Sequence, residues 1–265
     1  MMTTGQLEPL MIGWAEEAGV MARHHYRHTG DLSFKRGREA VTEVDRQIEV
    51  RLREQIGEAF PGDAIVGEEL GGPDSRELGP TARVWHVDPI DGTLNYALGL
   101  PGFCTSLALM QGTEILAACV HQPISGDTFT AIRGGGARLN GETIKVSRRF
   151  KLRDAVISAQ FRKDGLLVSD PPRLQSLFRQ TMKVRKTGAI ALELAWTAAG
   201  FMDGLLAGFR NTIQLYDVAA GLLLVTEAGG ELSDFQGRSY QPGGCTLVAT
   251  NGGLHDELIA FLNQA

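Results

Sequence analysis

Trp85-His86-Val87-Asp88-Pro89-Ile90-Asp91-Gly92-Thr93-Leu94-Asn95-Tyr96 puts two carboxylates on either side of a Pro-Ile pair and follows them at once with Gly-Thr. Val84, Trp85 and Val87 make the approach apolar. This pattern predicts a buried strand that ends in a tight, acid-bearing loop. Like charges delivered to one turn repel each other, so a cation is needed there, and a divalent metal is the natural candidate.

The elements around this strand alternate in type. Leu10, Met11, Trp14, Ala18, Met21 and Ala22 recur at helical spacing and predict a helix from Leu7 to about His28. His24, His25 and His28 lie at its end. The helix dipole favours cationic side chains there, so they are not assigned to a metal. A second helix is expected from Thr42 to Phe60, with Val44, Ile48, Leu52 and Ile56 on one face, Thr42 and Asp45 as an approximate capping box, and Pro61-Gly62 as the stop. Ala64-Ile65-Val66 predicts a short strand that delivers Gly67-Glu68-Glu69. From an extended segment only one acid of that pair can face a given ligand.

Beyond the opening strand, Phe103 to Gln111 and Glu114 to Gln122 read as a hairpin across Gly112-Thr113. Asp127 to Ile132 and Ala137 to Asn140 continue the strands, and Asn140-Gly141 offers a turn. Residues 84 to 147 are therefore expected to be dominated by antiparallel strands. After Arg148 the pattern becomes alternating: strand at Ala155 to Ser158, helix at Pro172 to Gln180, strand at Val184 to Thr187, helix at Ala189 to Ala199, strand at Met202 to Leu206, helix at Val218 to Ala228. This divides the chain into an α+β half, residues 1–147, and an α/β half, residues 148–265.

Bulk properties narrow the functional classes. A chain of 265 residues can bury a substantial core. A formal net charge of -5 gives no electrostatic case for nucleic-acid binding. No apolar run is long enough to span a membrane. Met1 to Leu10 lacks the basic-then-apolar pattern of a signal peptide, so a cytoplasmic protein is expected. Cys104, Cys119 and Cys245 have no metal-ligand spacing and are expected to be buried free thiols.

Taken together, Gly67-Glu68-Glu69, the stretch 85–96, and Tyr216-Asp217-Val218-Ala219-Ala220-Gly221 through Glu227-Ala228-Gly229-Gly230 closely resemble the inositol monophosphatase family. Val41-Thr42-Glu43-Val44-Asp45, Phe103 to Leu109 and Gly136 to Gly141 support the resemblance, which covers nearly the whole chain. It implies a layered αβαβα sandwich of the inositol monophosphatase/fructose-1,6-bisphosphatase type, and a lithium-sensitive phosphomonoesterase that uses two or three Mg²⁺ ions. It implies that Glu68, Asp88 and the Ile90 carbonyl hold one ion, and that Asp88, Asp91 and Asp217 hold a second. Oxygen-only ligands suit Mg²⁺. Two such metals, typically about 3.5–4 Å apart, can neutralise a phosphate dianion, activate water and stabilise the leaving alkoxide. The resemblance further implies that Thr93 and Glu68 orient the attacking water, that Asp45 hydrogen-bonds Thr93, and that Gly92 and Thr93 cradle the phosphate through their backbone N–H groups. Lys35 would approach the metal-bound acids, and Glu69 would stand behind Glu68.

The alcohol side departs from the family pattern. Inositol-preferring relatives carry an acid some seven positions before the last metal aspartate, whereas Gly204 to Tyr216 contains none. Arg210 occupies that neighbourhood, Tyr216 replaces a common Trp, and Glu39 stands where an Asp often precedes Val-Thr. Arg210 near the leaving group would favour a doubly anionic ester such as a sugar bisphosphate; alternatively it faces solvent from a variable loop. Asp91 and Asp217 would also border the alcohol. The expected substrate is inositol monophosphate or a related polyol or sugar phosphate. Alternatives on the same fold are fructose-1,6-bisphosphatase, nucleotide 3′-phosphatase and histidinol-phosphatase activities. A regulatory binding module without catalysis is the rival from another class. Family habit implies a homodimer.

Overall fold

The computed structural model describes residues 4–27, 33–34, 40–41, 43–74, 78–161, 170–209 and 212–263. Helix α1 (Thr4–His25) leads through the short pair β1 (Ser33–Phe34) and β2 (Ala40–Val41) to α2 (Glu43–Ala59). Thr42, the expected cap of that helix, lies outside the described residues. Next come β3 (Ala64–Gly67), β4 (Arg83–Asp91), the one-turn helix α3 (Thr93–Ala97), β5 (Cys104–Gln111), β6 (Glu114–Gln122), β7 (Asp127–Ile132), β8 (Gly136–Leu139) and β9 (Glu142–Thr143). These strands form one seven-stranded sheet in chain order, β3 to β9. Only the β3–β4 pair is parallel; every other neighbour is antiparallel. Asn140 and Gly141, both at positive φ, close the β8–β9 hairpin in two residues.

The second sheet is built from β10 (Val156–Phe161), β11 (Lys183–Arg185), β12 (Gly204–Gly208), β13 (Glu231–Ser233) and β14 (Thr246–Thr250), in the order β11-β10-β12-β14-β13. Between its strands run α4 (Pro171–Gln180), α5 (Ile190–Ala198) and α6 (Leu215–Glu227), and α7 (His255–Leu262) ends the chain.

Strand periodicity sorts these pieces into layers. Phe103, just before β5, and Leu107 and Leu109 on it join Trp14, Ile48, Leu52 and Trp85 in one core beneath α1 and α2. The alternate residues Cys104, Ala108 and Met110 join Leu194, Leu222 and Leu205 in a second core, between the two sheets, which α5 and α6 fill. A third core, with Ile157, Leu206, Leu177 and Leu258, seats α4 and α7 on the far face of the second sheet. The result is a layered αβαβα fold. One expectation fails: Cys104 and Cys119 are buried free thiols, but Cys245 is exposed, because it sits in the turn-rich segment before β14 rather than in a strand.

Candidate active site

β4 carries the two acids of the opening stretch, and an irregularity decides where they point. Along a regular strand, residues three apart face opposite sides of the sheet. Here Asp88 pairs with Ser106 but Asp91 pairs with Cys104, so three steps on β4 match two on β5. This is a bulge, and it sits at Pro89-Ile90, where proline has no N–H to give to a ladder. The Thr105 hydroxyl takes up the freed Pro89 carbonyl at 2.9 Å. The extra residue turns Asp91 to the side that Asp88 already faces.

Two other elements bring acids to the same place. Gly67 to Gly71 form a turn closed by the Gly67 N–H on the Gly71 carbonyl at 2.9 Å, and Glu68 donates its N–H to the Val87 carbonyl at 3.1 Å. Residues 68–70 are thus turn rather than extended backbone. Asp217 lies in the first turn of α6, where the helix dipole favours a carboxylate. Glu68, Asp88 and Asp217 each have a carboxylate oxygen such that all three lie within 4.8 Å of one another. They are the one such group among the described residues.

The electrostatics of this cluster are unfavourable as it stands. Asp88 is buried and one of its oxygens, Oδ1, has no hydrogen-bond partner. Burial, then the charges of Glu68, Asp91 and Asp217, push its carboxyl well above the usual range. A buried, unpaired carboxylate oxygen facing two further carboxylates fits a hard divalent cation.

Asp91 is held differently. Its carboxylate accepts the N–H groups of Ile190 at 3.2 Å, Ala191 at 2.6 Å and Leu192 at 3.4 Å, the first turn of α5, and Cys104 Sγ lies 3.7 Å away. Burial raises its pKa to about 7, against the lowering effect of the Ala191 N–H. Three of these contacts fall on Oδ2 and only the Ile190 N–H on Oδ1, so Oδ1 keeps a lone pair for a cation.

Beyond Asp91 the chain turns through Gly92, at φ 90°. A Cβ there would lie 2.8 Å from the Gly102 carbonyl and 3.0 Å from the Ala189 Cβ, so only glycine fits. Thr93 is buried, and its hydroxyl donates to the Ile90 carbonyl at 3.0 Å. Asp45 is fully buried on α2, close enough to the Tyr96 hydroxyl to help burial raise its pKa. Asn95 Nδ2 donates to the carbonyls of Gly102 at 2.6 Å and Thr187 at 2.7 Å, tying the turn to the approach to α5.

Two buried acids beside the cluster and its turn escaped the sequence reading. Glu193, an isolated acid in the apolar run of α5, accepts from the hydroxyls of Ser158 and Thr187, from Gln160 Nε2 at 2.6 Å and from the Thr187 N–H at 2.7 Å. Glu49 lies beneath the 67–71 turn; its spacing of one helical turn from Asp45 was the signal available. Lys35, Glu39, His28 and Arg210 lie outside the described residues. Glu69 sits in the 67–71 turn, its N–H donated to Glu49.

Comparison with known proteins gives concordant results. The model of the inositol monophosphatase family matches residues 6–265. A fructose-1,6-bisphosphatase/inositol-1-monophosphatase from Thermotoga maritima is 33% identical over 94% of this chain and 92% of its own. A Nus factor SuhB from Xylella fastidiosa is 34% identical over 91% of this chain and 89% of its own. The crystal structure of the extragenic suppressor protein suhB from Bartonella henselae superposes with a TM-score of 0.89 at 29% identity, covering 98% of this chain and 99% of that one.

Proposed function

The chain belongs to the inositol monophosphatase family, and from that premise we propose that it hydrolyses a small phosphate monoester, inositol monophosphate or a related polyol or sugar phosphate, with Mg²⁺ as cofactor. The observation that carries the reading is the Glu68–Asp88–Asp217 cluster, with an Asp88 oxygen buried and unpaired. Glu68, Asp88 and the Ile90 carbonyl would hold one ion and Asp88, Asp91 and Asp217 a second, with a third possible on the same oxygen-only set. Bound Mg²⁺ supplies charge neutralisation of the phosphate and acidification of the attacking water.

The chain's own residues do the rest. Thr93 and Glu68 orient the water: the Thr93 hydroxyl spends its proton on Ile90 and keeps its lone pairs for the water's hydrogens. Asp45 lies behind them as a buried carboxylate. The N–H groups of Gly92 and Thr93 receive the phosphate, and the absent Cβ at Gly92 lets the backbone come close. Asp91 and Asp217 border the leaving alcohol, and the acid-free span 204–216 with Arg210 leaves its identity open among polyol, sugar-bisphosphate and other esters. In this reading residues 1–147 contribute most ligands and residues 148–265 contribute Asp217 and the alcohol side. A cytoplasmic homodimer sensitive to Li⁺ extends the family reading to this chain.

A second reading, a regulatory binding role, draws on the relative named a Nus factor. The carboxylate cluster favours catalysis, since such a group is costly without a metal. The test is phosphate release from inositol 1-phosphate, fructose 1,6-bisphosphate, adenosine 3′,5′-bisphosphate and histidinol phosphate, with Mg²⁺ and with chelator. We expect Mg²⁺-dependent release from at least one, lost in Asp91→Asn. No release from any, with the variant indistinguishable from the parent chain, would sink the proposal.

A further inference from the structure

We infer that Glu49, braced by Arg53, is a positioning residue that sets Glu68 for metal binding; this rests on the proposed role of Glu68. Helix α2 carries Asp45, Glu49 and Arg53 one turn apart, a polar stripe beside its apolar face of Val44, Ile48, Leu52 and Ile56. Glu49 is fully buried, an unusual place for a carboxylate. Its Oε2 accepts the Glu69 N–H at 2.7 Å, and its Oε1 accepts the Leu70 N–H at 3.2 Å and Arg53 Nε at 2.8 Å. Arg53 also donates to the Gly71 carbonyl. Among the described residues, the bonds that Glu49 and Arg53 make beyond the helix go to the turn that bears Glu68.

The fit accounts for the glycine before Glu68. A Cβ on Gly67 would lie 2.0 Å from Glu49 Oε1 and 2.3 Å from its Cδ, so the carboxylate fills the space that a side chain would take. Glu68 is thereby fixed from both sides. Its own N–H is tied to the Val87 carbonyl on β4, next to Asp88, and the two following N–H groups are tied to Glu49. On the outer side of the turn Leu70 is about half exposed. A buried ion pair contributes little net stability compared with apolar packing. The consequence of this one is geometric: it selects the turn conformation that aims Glu68 at Asp88 and Asp217. Supporting groups of this kind are typically worth about 10–100-fold in metal affinity.

The test is calorimetric titration of Mg²⁺ alone into the full-length, metal-free chain, with the melting temperature of each metal-free variant recorded. For Glu49→Gln we expect the Kd for Mg²⁺ to rise about 10–100-fold. Glu49→Asp, which keeps the charge on a shorter arm, should recover part of that loss. Arg53→Gln, at a site one quarter exposed, should shift Kd the same way by less, and decides the matter if Glu49→Gln does not fold. A purely structural role would lower melting temperatures and leave Kd unchanged; that result in the folded variants overturns the inference. Glu68→Gln separates the two levels. If it also binds Mg²⁺ like the parent chain, the metal assignment of Glu68 fails and this inference with it. If it loses affinity while Glu49→Gln and Arg53→Gln do not, only the positioning role fails.

Discussion

Replacing Asp88 by Asn should stabilise the metal-free protein while removing its response to metal. Asp88, Glu68 and Asp217 have oxygens within 4.8 Å of one another. Two unit charges at that distance repel by about 3.5 kcal/mol at an effective dielectric constant of about 20. Asp88 faces two such partners, but its raised pKa shows that proton uptake relieves part of the repulsion. A carboxyl that takes up the proton escapes the repulsion at a cost of about 1.4 kcal/mol for each pH unit above its unfolded pKa, and Asn avoids both; we expect a gain of about 2 kcal/mol. At about 2 °C per kcal/mol for a chain of this size, the melting temperature in chelator should rise by about 4 °C. The sign with pH is also set. A carboxyl whose folded pKa is raised binds its proton more tightly in the folded state, so the parent chain loses stability as pH rises above about 4. The advantage of Asn therefore widens from pH 5 to pH 8. Added Mg²⁺ at about 100 times its Kd should stabilise the parent chain by about 2.7 kcal/mol and leave the variant unmoved. Thermal unfolding by circular dichroism, in chelator and in Mg²⁺, reads both effects. A variant that melts lower than the parent in chelator, or that still responds to Mg²⁺, would refute the reasoning.

Three further outcomes follow from other parts of the molecule. His86 is buried, with Nδ1 unpartnered, and burial lowers its pKa to about 4. The unfolded chain takes up that proton near pH 6.5, so relative to His86→Leu the parent should lose about 3 kcal/mol of stability between pH 6.5 and 4, measured by urea unfolding across that range. Glu193→Ala leaves the buried donors of Ser158 and Gln160 and the half-buried donors of Thr187 without their acceptor; we expect a loss of about 3 kcal/mol or more in the same assay. Gly92→Ala must place a Cβ 2.8 Å from the Gly102 carbonyl at φ 90°; a cost of about 1–3 kcal/mol and a fall in kcat larger than any change in KM should follow.

Most of the strands and helices up to Gly230 were legible because their patterns are strong; the two-residue strands β1, β2 and β9 are too short to show a period. α2 has a clean apolar stripe, and β5 and β6 are long apolar runs across a two-residue loop. The order Glu68, Asp88, Asp91, Asp217 was legible as a motif. What periodicity alone could not give was the face on which Asp88 and Asp91 meet. A period of two separates them, and only the bulge at Pro89-Ile90 unites them; the proline was its signal. Glu49 and Glu193 stayed hidden for a different reason. An acid in a helix reads as solvated unless the partners that bury it are known, and those partners lie far away in sequence, at Glu69 and Leu70 for one and Ser158 and Gln160 for the other. Strands β13 and β14 and helix α7 lie in the last stretch of the chain, where short elements between glycine-rich turns give weak periodicity.

The most direct test of the central claim is a crystal structure of the protein soaked in Mn²⁺, with anomalous scattering used to locate the ions. The account predicts an anomalous peak among the oxygens of Glu68, Asp88 and Asp217, and a second where Asp88 and Asp91 can both reach it. Peaks confined to other parts of the surface, or none at a concentration that supports phosphate release, would contradict it.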